Sequence, residues 1–417
     1  MHYQYAHPEF FDGIPRPDFR ALSGNLVIYG AGFQGKLAAH LLREQGIEVL
    51  CFGDRDERKQ SALYCGLPVL DPEEMKQRYP GAIPIVATYV LRPAWEYVTQ
   101  KLGYENALTP FSLLLEFDSD SFDRLEGHPF WYHPGVLDYF VDLFMQKCIN
   151  VLTERSLYAT DISVTQVCNL RCKCCNAFMP CYKEPRHFEL EDVIYDAKAL
   201  LQDRAFHHIF LEGGEAFLWK PLPELLQFLS ENPNVMNIWV VTNGTVLPHA
   251  ELLQALGLPK VAVRISNYEG YSKIVPLSKM LKQNQIKHWI YQQQWFELES
   301  FYEQPIYGER LDRVISSCNK MGGGSTYVSD GKLFRCPTQA NLHNLGIFLS
   351  TEVTDYVNLR QKDSVKMQKE IAAFIDQKHM TRAPALCAYC NSRGYIGEEV
   401  PPAEQLNPGE SIQVCFK

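Results

Sequence analysis

In the first part of the chain, short β-branched runs alternate with stretches whose apolar positions recur at helical spacing. NLVIYG ends in Gly30-Ala31-Gly32-Phe33-Gln34-Gly35, KLAAHLLREQG carries the helical period, and EVLCFGD and AIPIVATYV are the next extended runs. Strand, glycine turn, helix and strand in that order predict a Rossmann-like doubly wound α/β domain over 1–115. Residues 116–158 turn aromatic and helical (FWYHPGVLDYFVDLFMQ) and read as a connecting segment. From 159 a second series begins, with DISVTQV, HHIFLEGG, IWVVTNGT, KVAVRIS and KHWIYQQQW as strands. VIYDAKALLQD, LPELLQFLSEN and VPLSKMLKQNQ are the helices between them. This alternation implies a parallel sheet or barrel over 159–310, with chemistry at the C-terminal strand ends. Over 311–395 the pattern becomes a turn-rich hairpin followed by a helix, and 396–417, with Pro401, Pro402 and Pro408, reads as a tail.

A chain of 417 residues with 46 % apolar and 21 % charged side chains has ample material for more than one core, which excludes wholesale disorder. The net charge of −9 comes without a basic block, so no nucleic-acid partner is expected. No apolar run reaches the ~20 residues of a membrane helix, and MHYQYAHPEFFDG lacks the basic start and apolar stretch of a secretory signal. The expected location is the cytoplasm, with no membrane partner.

The 13 cysteines are unevenly spread, and this changes the picture most. Cys168, Cys172, Cys174, Cys175 and Cys181 crowd one loop, and Cys318, Cys336, Cys387 and Cys390 follow, whereas Cys51, Cys65, Cys148 and Cys415 are scattered. In a reducing compartment such clustering argues for metal ligation or redox chemistry over disulfides. CNLRCKCC contains Cys168-x3-Cys172-x2-Cys175 directly after the first strand of the second series. Three thiolates on one tight loop can hold a [4Fe–4S] cluster and leave one iron open to an exogenous chelator. A zinc site completed by Cys174 or Cys181, or a redox CxxC, are the competing readings.

With these cysteines, the chain resembles the radical S-adenosylmethionine (radical SAM) superfamily. Two more of that family's signatures recur in order. Gly213-Gly214-Glu215 closes the second strand, where the family's GGE motif holds the methionine amine; paired glycines allow close backbone approach and a carboxylate suits an ammonium. Thr242 and Asn243 in VVTNGT match the ribose-contacting position of the third strand. Arg264 and Ser266 share one face of the fourth strand and could reach the methionine carboxylate, with a solvated or structural arginine as the competing reading. Cys174 stands where an aromatic residue is common, and Ala216 where proline is usual. The resemblance implies a partial (β/α)6 barrel, S-adenosylmethionine as cofactor, and its reductive cleavage to a 5′-deoxyadenosyl radical that abstracts hydrogen from a substrate.

Cys318, Cys336, Cys387 and Cys390, set around a glycine-rich hairpin and a helix, resemble the "twitch" form of the SPASM-related C-terminal domain. This implies a second [4Fe–4S] cluster with four thiolate ligands; a zinc ribbon is the alternative. The implied partners are a nucleotide- or sugar-linked small-molecule substrate and an electron donor such as flavodoxin or ferredoxin. Dehydrogenation or epimerisation of a carbohydrate or nucleotide-linked metabolite is the expected outcome. The alternatives are maturation of a ribosomally made peptide and, from another class, a non-catalytic zinc-binding scaffold. In the N-terminal domain, Gly30, Gly32 and Gly35 suit a phosphate cradle and Asp54 a ribose hydroxyl; the competing reading is a module that only packs. Cys181 and Cys415 are the remaining thiols to weigh as hydrogen donors.

Overall fold

The computed structural model describes residues 14–115, 141–292, 295–296 and 305–412, short gaps within these stretches excepted. The aromatic segment expected at 116–140 and Cys415 lie outside the described residues. The chain divides into two compact units, 1–157 and 158–417. Among the described residues no helix is long and apolar enough to cross a membrane.

In the first unit, β1 (Leu26–Tyr29), β2 (Val49–Gly53), β3 (Leu63–Tyr64), β4 (Leu67–Leu70) and β5 (Ile83–Val86) form one sheet in the order β3-β4-β2-β1-β5. β1 pairs in parallel with both β2 and β5, so the strand order reverses at β1. All four β1 side chains are buried, as expected of a central parallel strand covered on both faces. Helix α1 (Phe33–Glu44) starts straight after the glycine turn and sinks Leu37, Ala38, Leu41 and Leu42 into the core.

Among the described residues, the main sheet of the second unit has eight strands. They are β6 (Leu157–Thr165), β7 (Ala205–Gly213), β8 (Val235–Thr242), β9 (Val261–Ser266), β10 (His288–Tyr291), β12 (Ser325–Ser329), β13 (Lys332–Phe334) and β14 (Tyr356–Asn358). Their order is β10-β9-β8-β7-β6-β12-β13-β14. Strands β7, β8, β9 and β10 pair in parallel with one another in that order, β12 lies parallel to β6, and β13 and β14 complete an antiparallel edge. The hairpin at Asp330-Gly331 thus extends the same sheet as the α/β series. Helices α2 (Leu190–Leu201), α3 (Leu222–Glu231), α4 (Ala250–Leu256) and α5 (Ile274–Gln283) connect successive strands. Their apolar faces meet Ile162, Val164, Leu211, Val240, Val263 and Ile265 in one core. Because strand side chains alternate, that packing leaves Arg264 and Ser266 on the opposite face of β9.

Helix α6 (Pro337–Asn344) follows the hairpin, and α7 (Ser364–Ile375) packs on the core through Met367, Ile371, Phe374 and Ile375. The segment expected as a tail is folded back onto the unit. β15 (Glu399–Val400) pairs antiparallel with β11 (Trp295–Phe296), and Gln405 forms a bridge with Cys172. Backbone pairing places it there, a property that prolines and polar composition do not display.

Candidate active site

Loops at the C-terminal ends of β6 to β9 gather around the first cysteine group. The loop after β6 carries Cys168, Cys172 and Cys175, and their thiols lie in one another's electrostatic field. Burial, reinforced by Cys175, pushes Cys168 and Cys172 up to about 12. Such sulfurs ionise only against a compensating positive charge, which coordinated metal supplies. Cys168 Sγ accepts from Leu170 N at 3.5 Å and Asn243 Nδ2 at 3.8 Å, and Cys172 Sγ accepts from Gln405 Nε2 at 3.2 Å.

The Gly213-Gly214-Glu215 turn is pressed against this loop. Gly214 N donates to Thr165 O (2.8 Å) and Glu215 N to Val167 O (2.9 Å). A Cβ on Gly214 would stand 2.2 Å from Val167 O, and Gly213 adopts a φ of +153° with its own Cβ position 2.2 Å from Thr165 O. Only glycine permits this approach.

Glu215 occupies a different post from the ammonium contact its motif suggests. It is 0 % exposed, and its carboxylate accepts from Phe217 N (3.0 Å), Thr242 Oγ1 (2.7 Å) and Asn243 N (2.7 Å). Burial raises its pKa, and these three donors oppose the rise. The side chain therefore ties the end of β7 to the end of β8. Thr242 is spent on that tie, while Asn243 reaches the cysteine loop through Asn169 Oδ1 (3.0 Å).

Arg264 stands on β9 with its guanidinium 5.4 Å from the Phe210 ring centroid and 5.3 Å from that of Tyr291. Its Nη2 lies 4.0 Å from Glu212 Oε2. Ser266 is buried nearby and bonds the Tyr268 phenol, which feels Cys172 and Cys175. Glu212, the residue just before the paired glycines, carries no signal of its own in the sequence.

The second cysteine group also assembles. Cys387 lies in the field of Cys336, Cys390 and Cys318, and burial first, then those neighbours, raises its pKa. Cys336 caps α6, its sulfur accepting from Gln339 N at 3.4 Å, a position that favours a thiolate. Arg335 is buried beside it, stacked on Phe374 and close enough to feel Cys387. Asp355 accepts from Ala385 N (2.9 Å) and so fixes the turn bearing Cys387. Helix α6 also touches the first group: Thr338 Oγ1 donates to Asn176 O (3.4 Å) and Tyr182 Oη to Asn341 Oδ1 (2.8 Å). Phe178, Leu342 and Leu386 share a small core there. Among the described residues no three His, Cys, Asp or Glu side chains converge tightly enough for a single metal ion. Four thiols within electrostatic reach of one another suit the ligand set of a cluster, whose irons each take a separate sulfur.

In the first unit, Gly35 meets Gly30: its Cβ would lie 1.9 Å from Gly30 O, so the helix can approach the strand only without a side chain. A Cβ on Gly32 would meet nothing within 4 Å. Asp54, expected at a ribose hydroxyl, instead accepts from Ala31 N (2.8 Å), Lys59 Nζ (2.9 Å) and Asp56 N (2.9 Å). It closes the glycine turn from within.

Residues 162–274 match the family model of the Radical SAM superfamily, so a radical SAM domain occupies this part of the chain. That family implies S-adenosylmethionine and a [4Fe–4S] cluster. The chain is 31 % identical over 145 residues to the GTP 3′,8-cyclase of Alkaliphilus oremlandii (strain OhILAs), covering 31 % of this chain and 43 % of the cyclase. It is 32 % identical over 140 residues to that of Acidothermus cellulolyticus (strain ATCC 43068 / DSM 8971 / 11B), covering 30 % and 38 %. The chain thus spans less than half the length of these curated relatives. Similar solved structures include BtrN in complex with AdoMet and 2-DOIA, at 16 % identity and TM-score 0.37, covering 52 % of this chain and 85 % of that one. Another is anSMEcpe with bound AdoMet and the Cp18Cys peptide, at 14 % identity and TM-score 0.35, covering 56 % and 86 %. The cyclases' names give no support to the expected dehydrogenation or epimerisation of a carbohydrate.

Proposed function

We propose that the chain is a radical SAM enzyme in which Cys168, Cys172 and Cys175 hold the [4Fe–4S] cluster that binds S-adenosylmethionine. The observation that carries this reading is the convergence of these three thiols with the Gly213-Gly214 turn at the C-terminal ends of β6 and β7. Bound there, cluster and S-adenosylmethionine supply a 5′-deoxyadenosyl radical for hydrogen abstraction. The chain's own part is to position and to exclude water. Gly213 and Gly214 bring bare, half-buried backbone up to the cysteine loop, where peptide carbonyls suit the methionine amine. Glu215 and Thr242 hold the β7 and β8 loops at fixed spacing. Arg264, stacked between two rings, presents a cation for the methionine carboxylate, and Asn243 faces the ribose side.

Cys318, Cys336, Cys387 and Cys390 hold a second [4Fe–4S] cluster, with Arg335 offsetting the thiolate charge. The substrate is a small nucleotide-bearing metabolite. Supporting this are the open space over Gly32 at the start of α1 and the GTP in the relatives' names. A flavodoxin or ferredoxin is the proposed electron donor.

The test is anaerobic reconstitution, followed by iron and sulfide counts and assay of 5′-deoxyadenosine under dithionite. Alanine at Cys168, Cys172 or Cys175 is expected to abolish 5′-deoxyadenosine formation, and Cys174→Ala to retain most of it. Retention in Cys175→Ala with loss in Cys174→Ala would overturn the ligand set.

A further inference from the structure

The stretch after the two prolines reaches the cysteine loop and pairs with it through a single antiparallel bridge between Gln405 and Cys172. Lys173 N donates to Glu404 O at 2.7 Å and Leu406 N to Arg171 O at 2.8 Å. Between these two bonds sits Gln405, whose side chain is turned onto the loop. Its Oε1 accepts from Arg171 N at 2.6 Å; its Nε2 donates to Ala403 O at 2.6 Å and to Cys172 Sγ at 3.2 Å. These partners fix the orientation of the amide. Arg171 N can only donate and Ala403 O can only accept, so the NH2 end faces the sulfur. Cys172 itself is 6 % exposed, so little solvent competes for that sulfur. An ion pair between Lys173 and Glu404 at 2.7 Å fastens the segment from outside.

We propose that Gln405 is a positioning residue for the S-adenosylmethionine-binding cluster, its amide N–H holding the Cys172 sulfur and raising the potential at which that cluster accepts an electron. The proposal rests on the assignment of Cys172 as a ligand given above. The physical basis is charge. Reduction adds one electron to a cluster whose negative charge already spreads onto its sulfurs, and a donor aimed at a sulfur stabilises the reduced form more than the oxidised one. In a site this buried the donor is weakly screened, so its effect is felt at the iron. The electron itself comes from an external one-electron donor, dithionite in the assay or a flavodoxin-class protein. The segment that sequence composition marks as a tail thereby becomes part of the reducing machinery.

The test uses the full chain, anaerobically reconstituted with iron and sulfide, and reads the midpoint potential of the cluster by an electron paramagnetic resonance titration against dithionite. The relevant cluster is the one whose signal changes on addition of S-adenosylmethionine. Gln405→Glu keeps the acceptor for Arg171 N and removes the donor; Gln405→Leu removes the donor without adding charge. Both are expected to shift the potential to more negative values, the Glu variant further, while Glu404→Gln, which loosens only the outer ion pair, leaves it in place. Circular dichroism matched to the parent protein confirms that each variant is folded. Unchanged potentials in both Gln405 variants would overturn the proposal. So would a shift confined to the Glu variant, which would report charge alone, or an equal shift in Glu404→Gln, which would report displacement of the segment. A parent protein with no signal that responds to S-adenosylmethionine would instead overturn the assignment of Cys172.

Discussion

Glu215 must be explained donor by donor, because an ionised carboxylate without solvent survives only where its oxygens are satisfied. Its three donors come from Phe217, Thr242 and Asn243, so removing it strands buried partners on two loops at once. Glu215→Ala is expected to lower the stability of the second unit by about 3 kcal/mol, at the upper end for stranded buried hydrogen-bonding groups. Urea denaturation followed by tryptophan fluorescence checks this, since Trp219 and Trp239 are buried in that unit. His343 makes a prediction of another kind. Burial, with Lys332 adding to it, holds its pKa below the ordinary 6.5, and its Nδ1 accepts from Ser350 N at 3.1 Å. A protonated ring cannot accept that bond. The stabilising term is therefore present above the unfolded pKa and is lost as the pH falls through the lower folded value. The fall in urea midpoint between about pH 7.5 and about pH 5.5 is expected to be smaller in His343→Gln than in the parent protein.

At the scale of elements, strands were legible wherever β-branched and apolar residues are dense. HHIFLEGG, IWVVTNGT and KVAVRIS correspond to β7, β8 and β9, shifted by one to three residues at their ends. KHWIYQQQW was read as one strand, yet extended structure divides into His288–Tyr291 and Trp295–Phe296, the latter paired with Glu399–Val400. Cysteine spacing showed which thiols meet. It could not show where Glu215, Thr242 and Asp54 point, because a carboxylate or hydroxyl spent on its own backbone has the same one-letter code as one facing a ligand. Gln405 carried no signal at all: a single glutamine among polar residues looks like solvent-facing chain. The two glycines of the first turn give a matched prediction. Gly35→Ala drives a methyl into the Gly30 carbonyl and is expected to destabilise the first unit by about 1–3 kcal/mol. Gly32→Ala enters open space and is expected to stay within about 0.5 kcal/mol of the parent. Thermal unfolding of the two variants side by side tests this.

Across the whole molecule, the seven proposed iron ligands fall within 158–417, while the first unit keeps Cys51 and Cys148 as buried thiols pushed up to about 12 by desolvation. Metal removal is therefore expected to act on one unit alone. Calorimetry of the reconstituted protein before and after chelation would show a lowered transition for the second unit and an unmoved one for the first; equal movement of both would contradict the assignment. Helix α6 carries the proposed ligand Cys336 at its cap and touches the other cysteine loop through Thr338 and Asn341. Loss of Cys336 should consequently loosen the Cys168–Cys175 loop as well, seen as faster loss of iron there.

Cys172 and Gln405 are separated by 233 positions. On a ribosome, which adds residues in one direction, the cysteine loop emerges long before the amide that later closes over it. Throughout that interval the loop is unlatched on one side, which is when iron of the proposed cluster would reach Cys172 most readily. Once residues 403–406 dock, the same sulfur is covered by the Gln405 amide. Insertion of iron into a finished apoprotein should then be slower than insertion during synthesis, with undocking of this short segment as the step that sets the pace.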